Sequence, residues 1–415
     1  MTNADPPRAK PGPTPRPPVR ARDIHGLKYF NNIKKLLKSL HSHKDCPNRD
    51  LHYDEFAALI LLHFFNPVLE SLRATRQATE LENVQRKLGV GRTSLGSLSE
   101  ASRRFDPALL REIVQELAGE AAACDGHARP TGLDKELDVI AMDGSLLDAL
   151  PRMAWALWLD KEHRAVKLHV EFDVLRGVPQ DVTVTNGNGN EKQVMRQVLE
   201  SGKLYLIDAG YAEYRFFEDI RKAKSSFIGR LRDNAVYEII EERPLTETDR
   251  EAGVGFDRVV HLGCEAKRMD LSGPVRVIQV ELESPPERGL ARRASKVSSK
   301  KTFRHRPQEY VLLLATDRMD LPAEIIALLY RFRWTIELFF RWLKTVLRLR
   351  HLLFESPRGV EILVYCALIA TLLVVLWTGR KPTRRTLEMI QLYFQGWAKL
   401  HELEAHIQSL EKSVK

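Results

Sequence analysis

The chain has 415 residues, with 64 Lys and Arg against 55 Asp and Glu, giving a formal net charge of +9 and a pI of about 9.3. Hydrophobic residues at 44% and charged residues at 29% are the balance of a folded globular protein and exclude a wholly disordered chain. The basic excess makes a polyanion the first partner to consider, and the widely spaced Cys46, Cys124, Cys264 and Cys366, with no CxxC pair, exclude a zinc knuckle, a redox motif and a disulfide framework.

Residues 1–22 read as a disordered Pro/Arg-rich tail. The first 20 hold seven prolines and four basic residues and lack the apolar core of a signal peptide. Residues 23–128 read as an all-helical DNA-binding domain. Tyr53 to Leu72 carries a helical apolar stripe interrupted at Pro67. Within Leu81 to Phe105 one helix stops at Gly89-Val90-Gly91 and a second begins near Thr93 and Ser94, with Arg92, Arg103 and Arg104 close by. That is the outline of a helix-turn-helix, and equally of any helical hairpin.

From about Leu133 the periodicity changes. Leu137 to Asp143 is a strand-like run ending in Asp143-Gly144-Ser145, Ala165 to Asp173 alternates as a half-buried strand does, and Asp181 to Thr185 follows as a third. The polar turn from Asn186 to Asn190 leads into a helix expected over residues 191–201. A strand over Lys203 to Ile207, the turn Asp208-Ala209-Gly210-Tyr211, a helix to about Lys224 and a strand over Phe227 to Arg232 come next. This order predicts an α/β mixed sheet with helices on its faces, its first part spanning 129–233.

Residues 234–308 break the rhythm with three β-like runs, and Arg288 to Arg306 holds eight Lys and Arg and no acid. A β-rich insertion with a basic loop is expected, in which Arg292, Arg293, Lys300 and Lys301 are candidate DNA contacts. The core resumes over 309–380 with a strand at Tyr310 to Ala315 and a long helix opened by Pro322. Ile362 to Trp377 is an uncharged run of 16 residues, short of the ~20 that a bilayer span needs, and reads as a buried helix. Residues 381–415 read as a C-terminal helical segment.

On a helical wheel, Tyr330, Arg333, Glu337 and Lys344 fall within roughly 60° of arc beside a broad apolar stripe. Pairing of Glu337 with Arg333 or Arg341 is an ordinary structural explanation for that pattern. Asp143 and Asp208, however, each close an apolar strand, where α/β sheets carry their active residues, although Asp before Gly also forms turns. Two strand-end aspartates and a helix-edge glutamate are a plausible cage for two Mg²⁺ ions, which take hard carboxylate oxygens and serve phosphodiester displacement. Arg333 and Lys344 would then bind phosphates on either side of the scissile bond.

Tyr330-x2-Arg333-x3-Glu337-x6-Lys344 resembles the Y-R-E-K signature of bacterial insertion-sequence transposases with an RNase H-like DDE core. The words IAMDGS around Asp143, LYLIDAGY around Asp208 and DLPAEIIALLYRFRWTIELFFRWLK around Glu337 are similar to that family, over about Leu137 to Ser356. One departure is Ala209, where the family usually has a larger, often basic residue. The resemblance implies an RNase H-like mixed sheet flanked by helices, with a β-rich insertion before the Glu-bearing helix and an N-terminal all-helical domain. It implies a DNA transposase that cuts and joins the ends of an insertion sequence, with Asp143, Asp208 and Glu337 holding two Mg²⁺ ions for which Mn²⁺ could substitute. Tyr330, Arg333, Lys344 and Arg341 would lie on DNA. The implied partners are terminal inverted repeats and target DNA, bound by a homodimer or larger synaptic complex that is cytoplasmic and nucleoid-associated, with no membrane. The alternatives are a catalytically silent transposase-derived DNA-binding protein and an actin-like ATPase. All three acids are kept, which gives no reason to prefer the first, and no Gly-Gly adenosine loop supports the second.

Overall fold

The computed structural model describes residues 51–122, 129–263 apart from 132, 135 and 233, 271–282 and 310–412, together with Leu37 and Leu40. The proline-rich tail and the basic stretch with Arg292, Arg293, Lys300 and Lys301 lie outside the described residues.

Among the described residues, five helices precede the sheet: α1 (Tyr53–Phe65), α2 (Leu72–Ala78), α3 (Glu82–Leu88), α4 (Leu95–Arg104) and α5 (Ala108–Ala122). Their ends are written in local chemistry. α3 stops because Gly89 takes a left-handed φ of 71°, and α4 starts because the Ser94 side chain accepts from the backbone of Ser97 at 2.9 Å.

The strands are β1 (Asp138–Asp148), β2 (Leu157–Trp158), β3 (Asp160–Asp173), β4 (Val178–Asn186), β5 (Lys203–Ile207), β6 (Ser226–Arg230), β7 (Tyr237–Glu242), β8 (Val254–Leu262), β9 (Val275–Leu282) and β10 (Tyr310–Thr316). They form one sheet in the order β2-β3-β1-β5-β6-β10-β9-β8-β7, with β4 also paired to β3. β1, β5 and β6 run parallel, and every other pair is antiparallel. The mixed sheet flanked by helices is the predicted fold class. The strands after β6 extend this same sheet, because β10 pairs with β6 on one side and β9 on the other.

β1 differs from the expected short run. It continues through Asp143 to Asp148 because β3 pairs with it over that whole length, from Asp143 opposite Val170 to Asp148 opposite Ala165. Asp143 therefore lies inside a strand, not at its end. Its position is still special, since the parallel pairing with β5 stops at Ala141 opposite Leu206.

The two faces of the sheet carry different cores. Val139, Ala141, Leu204, Leu206, Val170 and Phe172 face one, and Ile140, Met142, Tyr205 and Ile207 face the other. α6 (Glu191–Gln197) and α7 (Tyr214–Lys222) contribute Met195, Phe216 and Phe217 to the second. After α8 (Glu247–Glu251), the first face receives α9 (Ala323–Phe332), α10 (Trp334–Arg341) and α11 (Pro357–Thr378), and the N-terminal helices share that core. α12 (Arg384–Phe394) and α13 (Leu400–Lys412) complete the chain.

α11 contains the apolar run. Ser356 caps it with Pro357 in its first turn, and Gly379 at φ 64° ends it. Among the described residues it is the helix long and apolar enough to cross a membrane, yet 89% of its most apolar stretch is buried inside the protein. Its neighbours are mainly α1, α4, α5 and β4, so the N-terminal helices cover it more than the Glu337 helix does. Tyr365 donates to the Val182 carbonyl at 3.1 Å, and Trp342 Nε1 donates to Thr371 at 2.9 Å. Each fully buried Leu, Ile or Val on α11 contributes about 1.5–3 kcal/mol, which makes the helix a central fastening of the fold.

Candidate active site

Strand register brings the two aspartates together. Beyond the pair Ala141 and Leu206, β1 continues and Asp208 remains extended (φ −82°, ψ 168°). Two steps onward on neighbouring parallel strands set Asp143 beside Asp208, on strands ~4.8 Å apart. Residues two apart share a face, so both carboxylates belong to the face covered by α9 and α10.

Asp143 accepts a hydrogen bond from the Gly144 backbone at 2.8 Å. Burial pushes its pKa up to about 6 against the pull of Arg333 and of the Gly144 N–H, and the charges of Asp208 and Glu191 push it further.

The Glu-bearing helix is not one smooth cylinder. At Arg333 the bonding switches to three-residue spacing, with Arg333 N donating to Tyr330 and Ile336 N to Arg333, while the Thr335 hydroxyl takes the Phe332 carbonyl at 2.7 Å. This one-residue break separates α9 from α10. Phe339 then packs on Phe172 of β3 with ring centroids 5.0 Å apart, fixing α10 over the strand next to β1. From the break, Arg333 donates to Glu337 at 3.0 Å, with its own side chain only 11% exposed. Burial works against the Arg333 charge, but Tyr330, Asp208, Asp143 and the bonded Glu337 together hold its pKa above the usual guanidinium value. The Tyr330 hydroxyl points at Asp208, 3.5 Å from Oδ1. Tyr330 and Arg333 therefore approach the aspartates, and Arg333, one of the two expected partners for Glu337, is bonded to it.

Residues Trp342–Val346, with Lys344 among them, form a π turn, with Leu347 N reaching back to the Trp342 carbonyl. Lys344 lines a cavity with Arg348 and Arg350. Arg341 is exposed at the end of α10.

Two features escaped the sequence. Glu191, in the first turn of α6, pairs with Lys167 at 3.2 Å and approaches Gly144 so closely that a Cβ there would lie 2.7 Å from its Oε1. The glycine that follows Asp143 is the sequence signal for this contact. The basic run after Lys344 was the other.

The donors suit a hard divalent ion: carboxylate oxygens around a locus that already stabilises one buried positive charge, the Arg333 guanidinium. Among the described residues no three His, Cys, Asp or Glu side chains stand close enough to hold an ion together as placed. Glu337 would have to exchange Arg333 for the metal.

Residues 134–373 match the family described as transposase DDE domain. A protein of Sinorhizobium fredii named as transposase y4zB is 31% identical over 50% of this chain and 52% of its own length. The Synechocystis transposase named for insertion sequence element IS4SA is 20% identical over 73% of this chain and 77% of its own. A Geobacillus stearothermophilus protein named as the transposase of element IS5377 is 24% identical over 59% of each. The chain thus spans only about half the length of the first of these relatives. A solved piggyBac transposase synaptic complex with hairpin DNA aligns over 92% of this chain and 81% of its own, at 12% identity and a TM-score of 0.41. The family match covers more than half of the chain and includes Asp143, Asp208 and Glu337: this protein belongs to the transposase DDE domain family.

Proposed function

We propose that the protein is a DNA transposase that cuts and joins the ends of an insertion sequence, with Asp143, Asp208 and Glu337 as its catalytic carboxylates. The observation that carries this reading is the Arg333 guanidinium, which is bonded to Glu337 and lies within electrostatic reach of both Asp143 and Asp208. Asp143, Asp208 and Glu337 would hold two Mg²⁺ or Mn²⁺ ions. Such a pair, when bound, activates a water or 3′-hydroxyl and stabilises the leaving oxygen.

The chain's own residues supply the rest. Arg333 neutralises the carboxylates beforehand, and on release from Glu337 its planar fork suits a phosphate beside the scissile bond. Tyr330 orients Asp208 and presents its hydroxyl to the same strand. Lys344 serves the phosphate on the other side of the scissile bond, and Arg341 and the basic stretch with Arg292, Arg293, Lys300 and Lys301 serve DNA phosphates further out. No Ser or Tyr nucleophile is assigned, because direct displacement by water and then by a 3′-hydroxyl needs no covalent protein–DNA intermediate. The partners are terminal inverted repeats and target DNA, engaged by a dimer or larger synaptic complex.

The test is incubation with duplexes carrying the inverted repeats that flank the gene, in Mg²⁺ or Mn²⁺. Wild type should nick at the repeat ends, whereas Asp208→Asn should bind the same duplex and leave it intact. Nicking by Asp208→Asn at the wild-type rate would remove Asp208 from the site.

A further inference from the structure

Alternate residues of β1 face opposite sides of the sheet, so Gly144 follows Ile140 and Met142 onto the face away from α9 and α10. α6 contributes to the core on that face, and its Glu191 fills the space that a side chain at residue 144 would need. A Cβ there would meet Glu191 Oε1 at 2.7 Å and Cδ at 3.0 Å. The carboxylate is thereby lodged against the backbone beside Asp143. Burial raises the Asp143 pKa most, and the Glu191 charge is one of the two that raise it further.

Two buried polar atoms near Glu191 lack partners. Tyr211 is 2% exposed, and its hydroxyl makes no hydrogen bond of ordinary geometry among the described residues. Burial and then the charges of Glu191, Asp143 and Asp208 raise its pKa, so the hydroxyl is within electrostatic reach of all three carboxylates. His169, opposite Gly144 on β3, is equally buried. The Thr185 hydroxyl donates to the Asn186 carbonyl at 3.0 Å and so accepts from His169 Nε2 at 2.9 Å. Burial and then the Lys167 charge lower the His169 pKa to about 4, which leaves a neutral ring with a lone pair on an unbonded Nδ1. Buried polar atoms left unpaired are costly, and here they surround a carboxylate next to the aspartates.

Glu191 is held by Lys167 at 3.2 Å, and Lys167 is tied in turn to the Gly189 carbonyl at 3.1 Å. Glu337 is held by Arg333 in the same manner, at 3.0 Å. We propose that Glu191 is a fourth carboxylate of the ion site, one that exchanges Lys167 for a divalent ion and reaches it from the face opposite Glu337. The waters that Mg²⁺ keeps would find acceptors in His169 Nδ1 and the Tyr211 oxygen. This role rests on the proposed function, because it presupposes ions held by Asp143, Asp208 and Glu337.

The experiment uses the full chain without DNA, so that ion binding is read apart from cleavage. Mn²⁺ is titrated calorimetrically into wild type, Glu191→Gln, Glu191→Asp and Asp208→Asn, with circular dichroism in EDTA confirming that each is folded. Glu191→Gln removes the charge, whereas Glu191→Asp keeps it and withdraws the carboxylate by one methylene. Both should weaken Mn²⁺ binding on the order of 10-fold, as should Asp208→Asn. If Asp208→Asn weakens binding but Glu191→Asp binds as wild type does, Glu191 acts only through its charge; the fourth ligand is overturned and the three-carboxylate reading stands. If Glu191→Gln also binds as wild type does, the outcome is the same. Wild-type affinity in Asp208→Asn, or no Mn²⁺ binding by wild type, would overturn the three-carboxylate reading and the fourth ligand with it.

Discussion

Replacing Asp143 by Asn swaps an ionisable carboxyl for a neutral side chain of the same size, one that still offers an oxygen to the Gly144 N–H. The folded-state pKa of about 6 stands above the ordinary 3.8, mainly because of burial. The folded protein therefore binds a proton more readily than the unfolded chain between these values, and the ionised Asp143 destabilises the fold above pH 6. Two units at 1.36 kcal/mol each give about 3 kcal/mol, and partial exposure of the residue reduces this to about 2 kcal/mol. In EDTA at about pH 7.5, Asp143→Asn should thus be more stable than wild type by about 2 kcal/mol, and at about pH 4 the advantage should vanish. With 415 residues unfolding, that corresponds to a rise of about 2 °C in Tm. Urea unfolding at both pH values checks it. A variant less stable than wild type at pH 7.5, or an equal gain at both pH values, would refute the claim that Asp143 is a buried charge awaiting a cation.

Three further changes test the scaffold around the site. Arg276 is 2% exposed, donates to Asp257 at 2.8 and 2.6 Å, and bonds the Arg318 and Leu321 carbonyls just before α9, so Arg276→Ala should cost about 3–5 kcal/mol in urea unfolding. Gly229→Ala would set a Cβ 2.9 Å from the ring of Phe217, which stacks on Phe227 at 4.3 Å; a loss of about 1–3 kcal/mol is expected from overpacking. Trp342→Phe removes the donor to Thr371 and should cost about 1–3 kcal/mol, read by thermal unfolding.

Local chemistry made much of this legible. Gly89 and Ser94 mark the boundary between α3 and α4, the apolar run Lys203 to Ile207 leaves Asp208 at a strand end, and four-residue spacing pairs Arg333 with Glu337. What escaped depends on distant partners. β1 outran its expected end because β3 lies alongside it, and no signal within Leu137 to Ser145 carries that information. The breaks around Glu337 arise where a hydroxyl competes for a carbonyl at Thr335 and where Leu347 and Leu349 reach back past the ordinary four residues, details a helical wheel averages away. The apolar α11 was recognisable as a core helix, but its main cover by α1, α4 and α5 is a tertiary choice.

The central claim is that Asp143, Asp208 and Glu337 form one metal-holding unit, and Mn²⁺ binding tests it most directly. Free Mn²⁺ is followed by electron paramagnetic resonance as protein is added, for wild type and for Asp143→Asn, Asp208→Asn and Glu337→Gln. Each substitution should weaken binding by about 10-fold or more, the range expected for perturbing a metal site, and Glu337→Gln should do so although Glu337 is bonded to Arg333. If Glu337→Gln binds Mn²⁺ as tightly as wild type, Glu337 is only the partner of Arg333 and the three-carboxylate site is contradicted.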